Sequence, residues 1–554
     1  MSAVDVEMNK PTPLESSAGT PAHRAVNLAH ILTQTARRIP DADALIHGPT
    51  RWSWRELDER VTALAAHMLE RGVKPGQCVL LDGPNQPEFV QAMYATWRIG
   101  AVLAPVNSRL HDTDIASIAK VCEPVLMIAH TSTASHVTAV KTVVGQDLQT
   151  LWLDDSSDRD SVSEYTLPSG PLTDRSVWAG DAAWYFFTSG TSGPPKAAVL
   201  SHDQLGYVIT NHLADLMPTT TETDRSLVVA PLSHGAGIHL LPQVARGAAT
   251  VIPLSYSLKP AEVWKLVETE RVVNMFTVPT ILKRLVDDES INHHDHSSLR
   301  YVVYAGAPMP SRDQQEARAA LGEVLVQYYG LAEATGNITV LPPHHHGHPS
   351  PPGIEFSTCG FPRTGMQVSI QDAHGNELSP LEHGEICVAG PAVFPGYLNN
   401  PKANDAAFRD GWLRTGDIGT FDNEGFLYIT GRSSDMFISG GSNIHPRDIE
   451  EKILTHPAVQ ETLVLGMPDS TWGEVGVAVC VLHHGSSLSE EELRQHLSAR
   501  MARYKVPRHI VFWDELPRSG NGKIVRRTVR QLFLELGWDP QLGPVSGQNK
   551  GDTP

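Results

Sequence analysis

Apolar residues at Leu57, Val61, Leu64, Ala65, Met68 and Leu69 recur on one helical face, and the pattern stops at Gly72, which suits a left-handed cap. An apolar run from Cys78 to Asp82 predicts a strand, Glu88 to Arg98 a second helix, and Ala101 to Pro105 another short strand. This alternation is βαβ rhythm and implies a parallel sheet covered by helices. The rhythm returns around Ser226 to Ala230, Val273 to Thr277 and Tyr301 to Ala305, each run ended by a polar or glycine-containing loop. In open α/β sheets, ligands sit beyond the carboxyl ends of the strands, so those loops are where chemistry is expected. From Glu385 to Tyr397 and Phe426 to Ile429 the pattern is β-rich. Past Asp435 a smaller α+β segment follows, with helices near Pro446 to Leu454 and Ser489 to Met501. The expected organisation is a tail over 1–26, a large domain over 27–431, a hinge at 432–435, a small domain over 436–538 and a tail over 539–554. Polar, Pro/Gly-rich composition makes both tails read as disordered.

Composition narrows the class without naming it. A chain of 554 residues exceeds one ordinary core, so at least two domains are expected. Its 44 basic against 62 acidic residues give a net charge of −18, which disfavours nonspecific attraction to nucleic acid or anionic lipid. The five cysteines are scattered and odd in number, so neither a metal set nor a disulfide framework is expected and a reducing cytoplasm fits. Met1 to Ala25 lacks the apolar stretch of a signal peptide, and no segment is long and apolar enough to span a bilayer. A cytoplasmic protein with no nucleic-acid partner is the expectation, with a homodimer left open.

The densest chemical signal is Thr188, Ser189, Gly190, Thr191, Ser192, Gly193, Pro194, Pro195, Lys196. Glycines let backbone N–H groups approach phosphate oxygens, hydroxyls add donors, and the lysine supplies a compact charge for outer phosphates. The spacing differs from the P-loop, because two prolines separate Gly193 from Lys196 and Ala197 follows the lysine. Taken alone, the segment also reads as a surface linker.

Four distant segments change that balance. Tyr329, Gly330, Leu331, Ala332 and Glu333 follow the apolar run Val324 to Val326. Arg414 to Asp417 reads as a polar turn, and Gly431 to Asp435 as another before Ser439, Gly440 and Gly441. Asn521, Gly522, Lys523 and Ile524 lie near the C-terminus. In order and spacing, over about residues 30 to 535, these resemble the adenylate-forming enzymes: acyl-CoA synthetases, firefly luciferase and adenylation domains of peptide synthetases. The resemblance implies an α/β fold whose large N-terminal domain holds doubly wound sheets and a β-barrel-like subdomain, with a small mobile α+β C-terminal domain.

It also implies a chemistry. A carboxylate resists thiols because oxide is a poor leaving group. Attack on the α-phosphorus of ATP gives an acyl-adenylate, and CoA then displaces AMP, with acceleration coming from positioning and opposed charge. By resemblance, Lys523 reaches the substrate carboxylate and bridging oxygen, and Glu333 holds Mg2+ together with ATP phosphates. Asp417 accepts from both ribose hydroxyls, Arg432 contacts ribose and phosphate, Tyr329 lies against adenine, and Gly306, Ala307 and Pro308 line the base. Ser439, Gly440 and Gly441 border a pantetheine tunnel, Trp472 lies near the CoA nucleotide, and Lys505 and Arg508 are candidates for its phosphate. His234 marks the meeting point of acyl group and thiol, although a lone histidine is more often structural. The acyl-pocket candidates are His234, Gly235, Ala236, Phe276, Val278, Ala305, Gly330, Leu331, Thr335 and Gly336, whose many small side chains leave room for a bulky group.

Two departures stand out. Ala332 replaces the threonine usual before the magnesium glutamate, and Ser434 occupies the hinge position usually held by Lys or Asp. A lost hydrogen bond to a charged group costs on the order of 1.5 to 3 kcal/mol, which slows a step without abolishing it. Full ligase activity on an aromatic, alicyclic or bulky acid is therefore expected. The alternatives are an enzyme running only the thioester half reaction, an adenylation enzyme loading a separate carrier protein, and a nucleotide binder without catalysis. The histidines near 293–296 and 344–348 read as loop residues rather than a metal set.

Overall fold

The computed structural model describes residues 24–154, 160–188, 195–352, 354, 356–432, 435–439, 442–469, 471–518, 524–535 and 538. The first sheet orders its strands Lys196–Ser201, Ala182–Thr188, Val102–Asn107, Cys78–Gly83, Leu126–Ala129 and Gln149–Trp152. All neighbours are parallel except Lys196–Ser201, which runs antiparallel to Ala182–Thr188. Every residue of Cys78–Gly83 and Val102–Asn107 is buried, because helices cover both faces of a parallel sheet. That is why these strands read in the sequence as unbroken apolar runs. Helix Trp54–Glu70 follows the expected periodicity, and Gly72 takes a φ of +84° just beyond its end.

A nine-stranded sheet forms the second layer, with Tyr301–Tyr304, Asn274–Thr277 and Arg225–Val228 at its centre and Leu325–Tyr329 beside them. These four pair in parallel. Helix Gly235–Arg246 packs on strands Ala249–Val251 and Asn274–Thr277 and on helices Leu28–Arg38 and His202–Asp215. Trp97 and Trp184 are fully buried in the same core, with the Trp97 indole donating to the Ala183 carbonyl at 2.8 Å. A five-stranded sheet built on Gln367–Gln371, Gly384–Ala389, Trp412–Phe421 and Leu427–Arg432 supplies the β-rich subdomain. The smaller C-terminal unit centres on the paired strands Val459–Asp469 and Gly473–Leu482, with His509–Phe512 parallel to the latter.

One local expectation is overturned. Arg414 to Asp417 is not a turn but the middle of the ten-residue strand Trp412–Phe421, and Asp417 is the direct cross-strand partner of Arg432. Gly416, at φ +73°, sits in a register shift of that strand against Gly384–Ala389, so a bulge carries the polar residues that local sequence reads as a turn.

The C-terminal unit meets the large domain along helix Pro446–Leu454. Arg447 donates through Nη1 to the Ile429 carbonyl at 2.6 Å and lays its guanidinium 4.5 Å from the Phe356 ring centroid. Glu451 accepts from the Ser311 backbone N–H, and burial pushes its carboxyl up to about 7 despite the nearby Arg447 guanidinium. A raised value means that the seam favours the protonated carboxyl. Its contribution is complete below the ordinary 4.5 and is lost as pH climbs through about 7. Amides of helix Pro446–Leu454, corrected for intrinsic exchange, should therefore lose about tenfold protection between pH ~6 and ~8, and Glu451→Gln should flatten that dependence. Equal protection at both pH values in the unaltered protein would contradict this account.

Candidate active site

Parallel pairing brings the carboxyl ends of Arg225–Val228, Asn274–Thr277, Tyr301–Tyr304 and Leu325–Tyr329 to one edge. The segments leaving that edge carry His234 and the helix start Gly235 and Ala236, then Val278, then Ala305 to Pro308, then Gly330 to Gly336. Segments separated by more than a hundred residues thus share one crevice rim, as open α/β sheets dictate.

Asp417 is nearly buried and accepts from the Tyr329 hydroxyl at 2.6 Å and from Arg432 Nε at 2.9 Å. Tyr329 is the last residue of its strand, so the cross-strand pair Asp417 and Arg432 is pinned to the sheet edge. Burial raises the Asp417 carboxyl above its ordinary value even though Arg432 opposes the shift. The partner guanidinium is raised by the same carboxylate and is about half exposed, leaving it accessible to a ligand.

A second cluster forms at the mouth of the predicted phosphate loop. Thr188 and Lys196 are cross-strand partners, which closes the two ends of that loop. Ser189, Gly190, Thr191, Ser192 and Gly193 fall outside the described residues. Lys196 Nζ lies 5.1 Å from the ring centroid of Tyr397, whose hydroxyl donates to Glu333 Oε1 at 2.6 Å. Glu333 sits in the short turn Ala332–Ala334, four residues past Tyr329, so the two clusters adjoin. Among the described residues no group of three or more His, Cys, Asp and Glu side chains is arranged for a metal. A single carboxylate does suit Mg2+, which keeps several waters and takes its other ligands from substrate phosphates.

On the acyl side, the His234 ring stands edge-on to Phe186 at 5.4 Å, with Nδ1 2.9 Å from Ser233 Oγ. The glycines do not all open space. A Cβ on Gly235 would lie 2.6 Å from Phe276 Cζ, one on Gly330 2.3 Å from the Gly336 backbone, and one on Gly336 2.7 Å from Tyr328 Cε2. Phe276 in turn stacks on Tyr328 with ring centroids 6.0 Å apart. These glycines exist so that an aromatic wall and a tight loop can form. Room of the expected kind is left at Gly306, where the nearest atom to an added Cβ is Val278 Cγ1 at 3.8 Å. Ala236 and Ala305 are buried in the core beside this wall, Leu331 packs against it from a half-buried position, and Thr335 accepts from Gln204 Nε2 at 2.6 Å.

In the C-terminal unit, Ser439 pairs with Gly473, next to the exposed Trp472. The Trp472 N–H donates to Asp469, whose carboxylate also lies 3.8 Å from Arg508 Nη1. Lys505 pairs with Asp448 at 3.0 Å, away from that group. Gly440, Gly441, Ser434 and Lys523 lie outside the described residues. Sequence reasoning missed Tyr397, because its partner Glu333 is 64 residues distant and nothing local marks it.

Residues 32–398 match the family model for AMP-binding enzymes, and residues 448–523 match that for the AMP-binding enzyme C-terminal domain. The chain belongs to the AMP-binding enzyme family. This AMP-binding enzyme is 34% identical over 501 residues to a feruloyl-CoA synthase from Amycolatopsis sp, covering 90% of this chain and 97% of the relative. It superposes on an amide bond synthetase from Marinactinospora thermotolerans with a TM-score of 0.83 at 27% identity, over 91% and 99% of the two chains. The o-succinylbenzoate CoA synthetase of Bacillus subtilis, solved with its acyl-adenylate intermediate, gives 0.81 at 28% identity, over 92% and 98%. The adenylate-forming resemblance, the α/β fold with its smaller C-terminal domain, and the class of AMP-forming acid–CoA ligase are borne out. No described helix is long and apolar enough to cross a membrane.

Proposed function

We propose that this AMP-binding enzyme activates an aromatic, alicyclic or otherwise bulky carboxylic acid with ATP and passes the acyl group to CoA. The observation that carries the reading is the pair of adjoining clusters at the carboxyl end of strand Leu325–Tyr329: Tyr329, Asp417 and Arg432 beside Glu333 and Lys196. The buried Asp417 carboxylate offers two acceptor oxygens to the ribose diol, and Arg432 balances its charge while facing solvent. Lys196 sets a cation where the outer phosphates leave, and Mg2+ on Glu333 would supply further charge neutralisation there. The substrate carboxylate attacks the α-phosphorus, pyrophosphate departs, and the thiol later attacks the acyl carbon with AMP leaving. Lys523 serves the first half, Ser439, Gly440, Gly441 and Trp472 the second, and the chain turns about 432–435 between them. Arg508, held beside Trp472 through Asp469, is favoured over Lys505 for the CoA phosphates. The aromatic wall of Phe276 and Tyr328, together with relatives named for feruloyl and succinylbenzoate substrates, supports an aryl acid. Cytoplasmic location and a homodimer belong to the same reading.

Incubation with ATP, Mg2+, CoA and a panel of aryl, alicyclic and medium-chain acids, followed by product mass, tests it. The expected products are AMP, pyrophosphate and an aryl-CoA thioester. The likeness to an amide bond synthetase makes the acceptor the point to check, so parallel reactions receive an amine in place of CoA. Amide formation without thioester would replace the proposed acceptor, and pyrophosphate release from no acid at all would end the reading.

A further inference from the structure

We infer that Tyr397 is a positioning residue that couples the metal-side carboxylate Glu333 to the phosphate-loop lysine Lys196, an inference that rests on the roles proposed above for those two residues. Three sets of contacts fix Tyr397. Its backbone runs beside the strand leaving the phosphate loop, with Val199 N–H donating to the Gly396 carbonyl at 3.0 Å and Leu398 N–H to the Ala197 carbonyl at 2.9 Å. An antiparallel bridge between Ala198 and Tyr397 lies between those bonds. On the other side, Asn404 accepts from the Tyr397 N–H at 2.7 Å and donates to its carbonyl at 3.2 Å. The ring then meets Phe394 edge-on at 4.9 Å, and the Phe394 N–H donates to the Glu333 carbonyl at 2.8 Å.

Glu333 is therefore gripped twice by one short segment, at its backbone by Phe394 and at Oε1 by the Tyr397 hydroxyl. The Tyr397 hydroxyl is the donor in that bond, since an ionised carboxylate can only accept. With Oε1 fixed in this way, Oε2 is aimed rather than free to rotate, which is what a hard cation bridging to phosphate requires. The face of the same ring lies 5.1 Å from Lys196 Nζ, within the range of cation–π attraction. One rigid side chain thus sets the spacing between the cation that meets the phosphates and the carboxylate that meets the metal.

Tyr397→Phe keeps the ring under Lys196 and removes only the bond to Glu333. Mn2+ serves as the metal probe, titrated with a non-hydrolysable ATP analogue on the full chain and followed by electron paramagnetic resonance, with Glu333→Gln alongside. Loss of a bond that orients a metal ligand typically weakens metal affinity by about 10- to 100-fold. The expected result is weaker Mn2+ binding by at least about tenfold in Tyr397→Phe, with pyrophosphate release restored toward the unaltered rate when metal is raised by that factor. Binding within about twofold of the unaltered protein in Tyr397→Phe, while Glu333→Gln abolishes it, overturns this inference and leaves the proposed function standing. Unchanged Mn2+ binding in both variants overturns the assignment of Glu333 as well. A rate deficit in Tyr397→Phe that excess metal does not restore also counts against the positioning role.

Discussion

Lys523→Ala should cut acyl-adenylate formation by about 10²- to 10³-fold while thioester formation from supplied acyl-adenylate stays within a few fold of normal, because a preorganised charge aimed at developing negative charge is worth about that much. The lysine follows Gly522 and precedes Ile524, in the last residues matched by the C-terminal family model. Arg518 and Ile524, which flank that stretch in the sequence, form an antiparallel bridge within the small domain. A charge delivered from the smaller unit can serve one half reaction and be withdrawn for the next. Pyrophosphate release with acid and ATP, and CoA consumption with synthetic acyl-adenylate, separate the two halves. Equal losses in both assays would sink the division of labour.

Asp417→Ala should raise the KM for ATP by about 10²-fold, since a hydrogen bond to a charged group is worth on the order of 1.5 to 3 kcal/mol and the carboxylate is placed to accept more than one. The same change leaves the Tyr329 hydroxyl and Arg432 without the partner they share, so some thermal stability should be lost too. Asp417→Asn separates the effects by keeping one acceptor and the side-chain volume. The pH dependence supplies a further check. Burial raises the Asp417 carboxyl, and the ionised form is the one that accepts from both ribose hydroxyls. Activity at low ATP should therefore fall as pH drops through a value above the ordinary carboxylate range, and the asparagine variant should lack that limb. An acid limb unchanged by Asp417→Asn would assign it to another group.

Much of the candidate site was legible because its members are marked by local chemistry. The hydroxyl- and glycine-rich run before Lys196, the Tyr329 to Glu333 segment and Arg432 each stand out from their neighbours in the sequence. Tyr397 was not legible, since its meaning depends on contact with a residue 64 positions away. The glycines of the acyl side were legible as small but not as to cause. Their smallness reads as room, whereas Gly235, Gly330 and Gly336 are small because Phe276, the Gly336 backbone and Tyr328 occupy the space beside them. Helix Gly235–Arg246 shows the same limit in the fold. Ala236 to Val244 are all buried, His239 and Gln243 included, and Pro242 lies within the helix, so its polar positions do not mark a solvent face as they would on a surface helix.

The sequence by itself determined the βαβ alternation, the division into a larger and a smaller unit, and the class of chemistry. Those follow from apolar runs, helical periodicity and motif residues, all properties of short stretches of chain. Only the tertiary structure decided that Asp417 faces Arg432 across a bulged strand, that Tyr397 joins Glu333 to Lys196, and that Glu451 sits half-buried at the seam between the two units. Burial and pairing at a distance depend on which surfaces the packed sheets bring together, and no local window of residues carries that information.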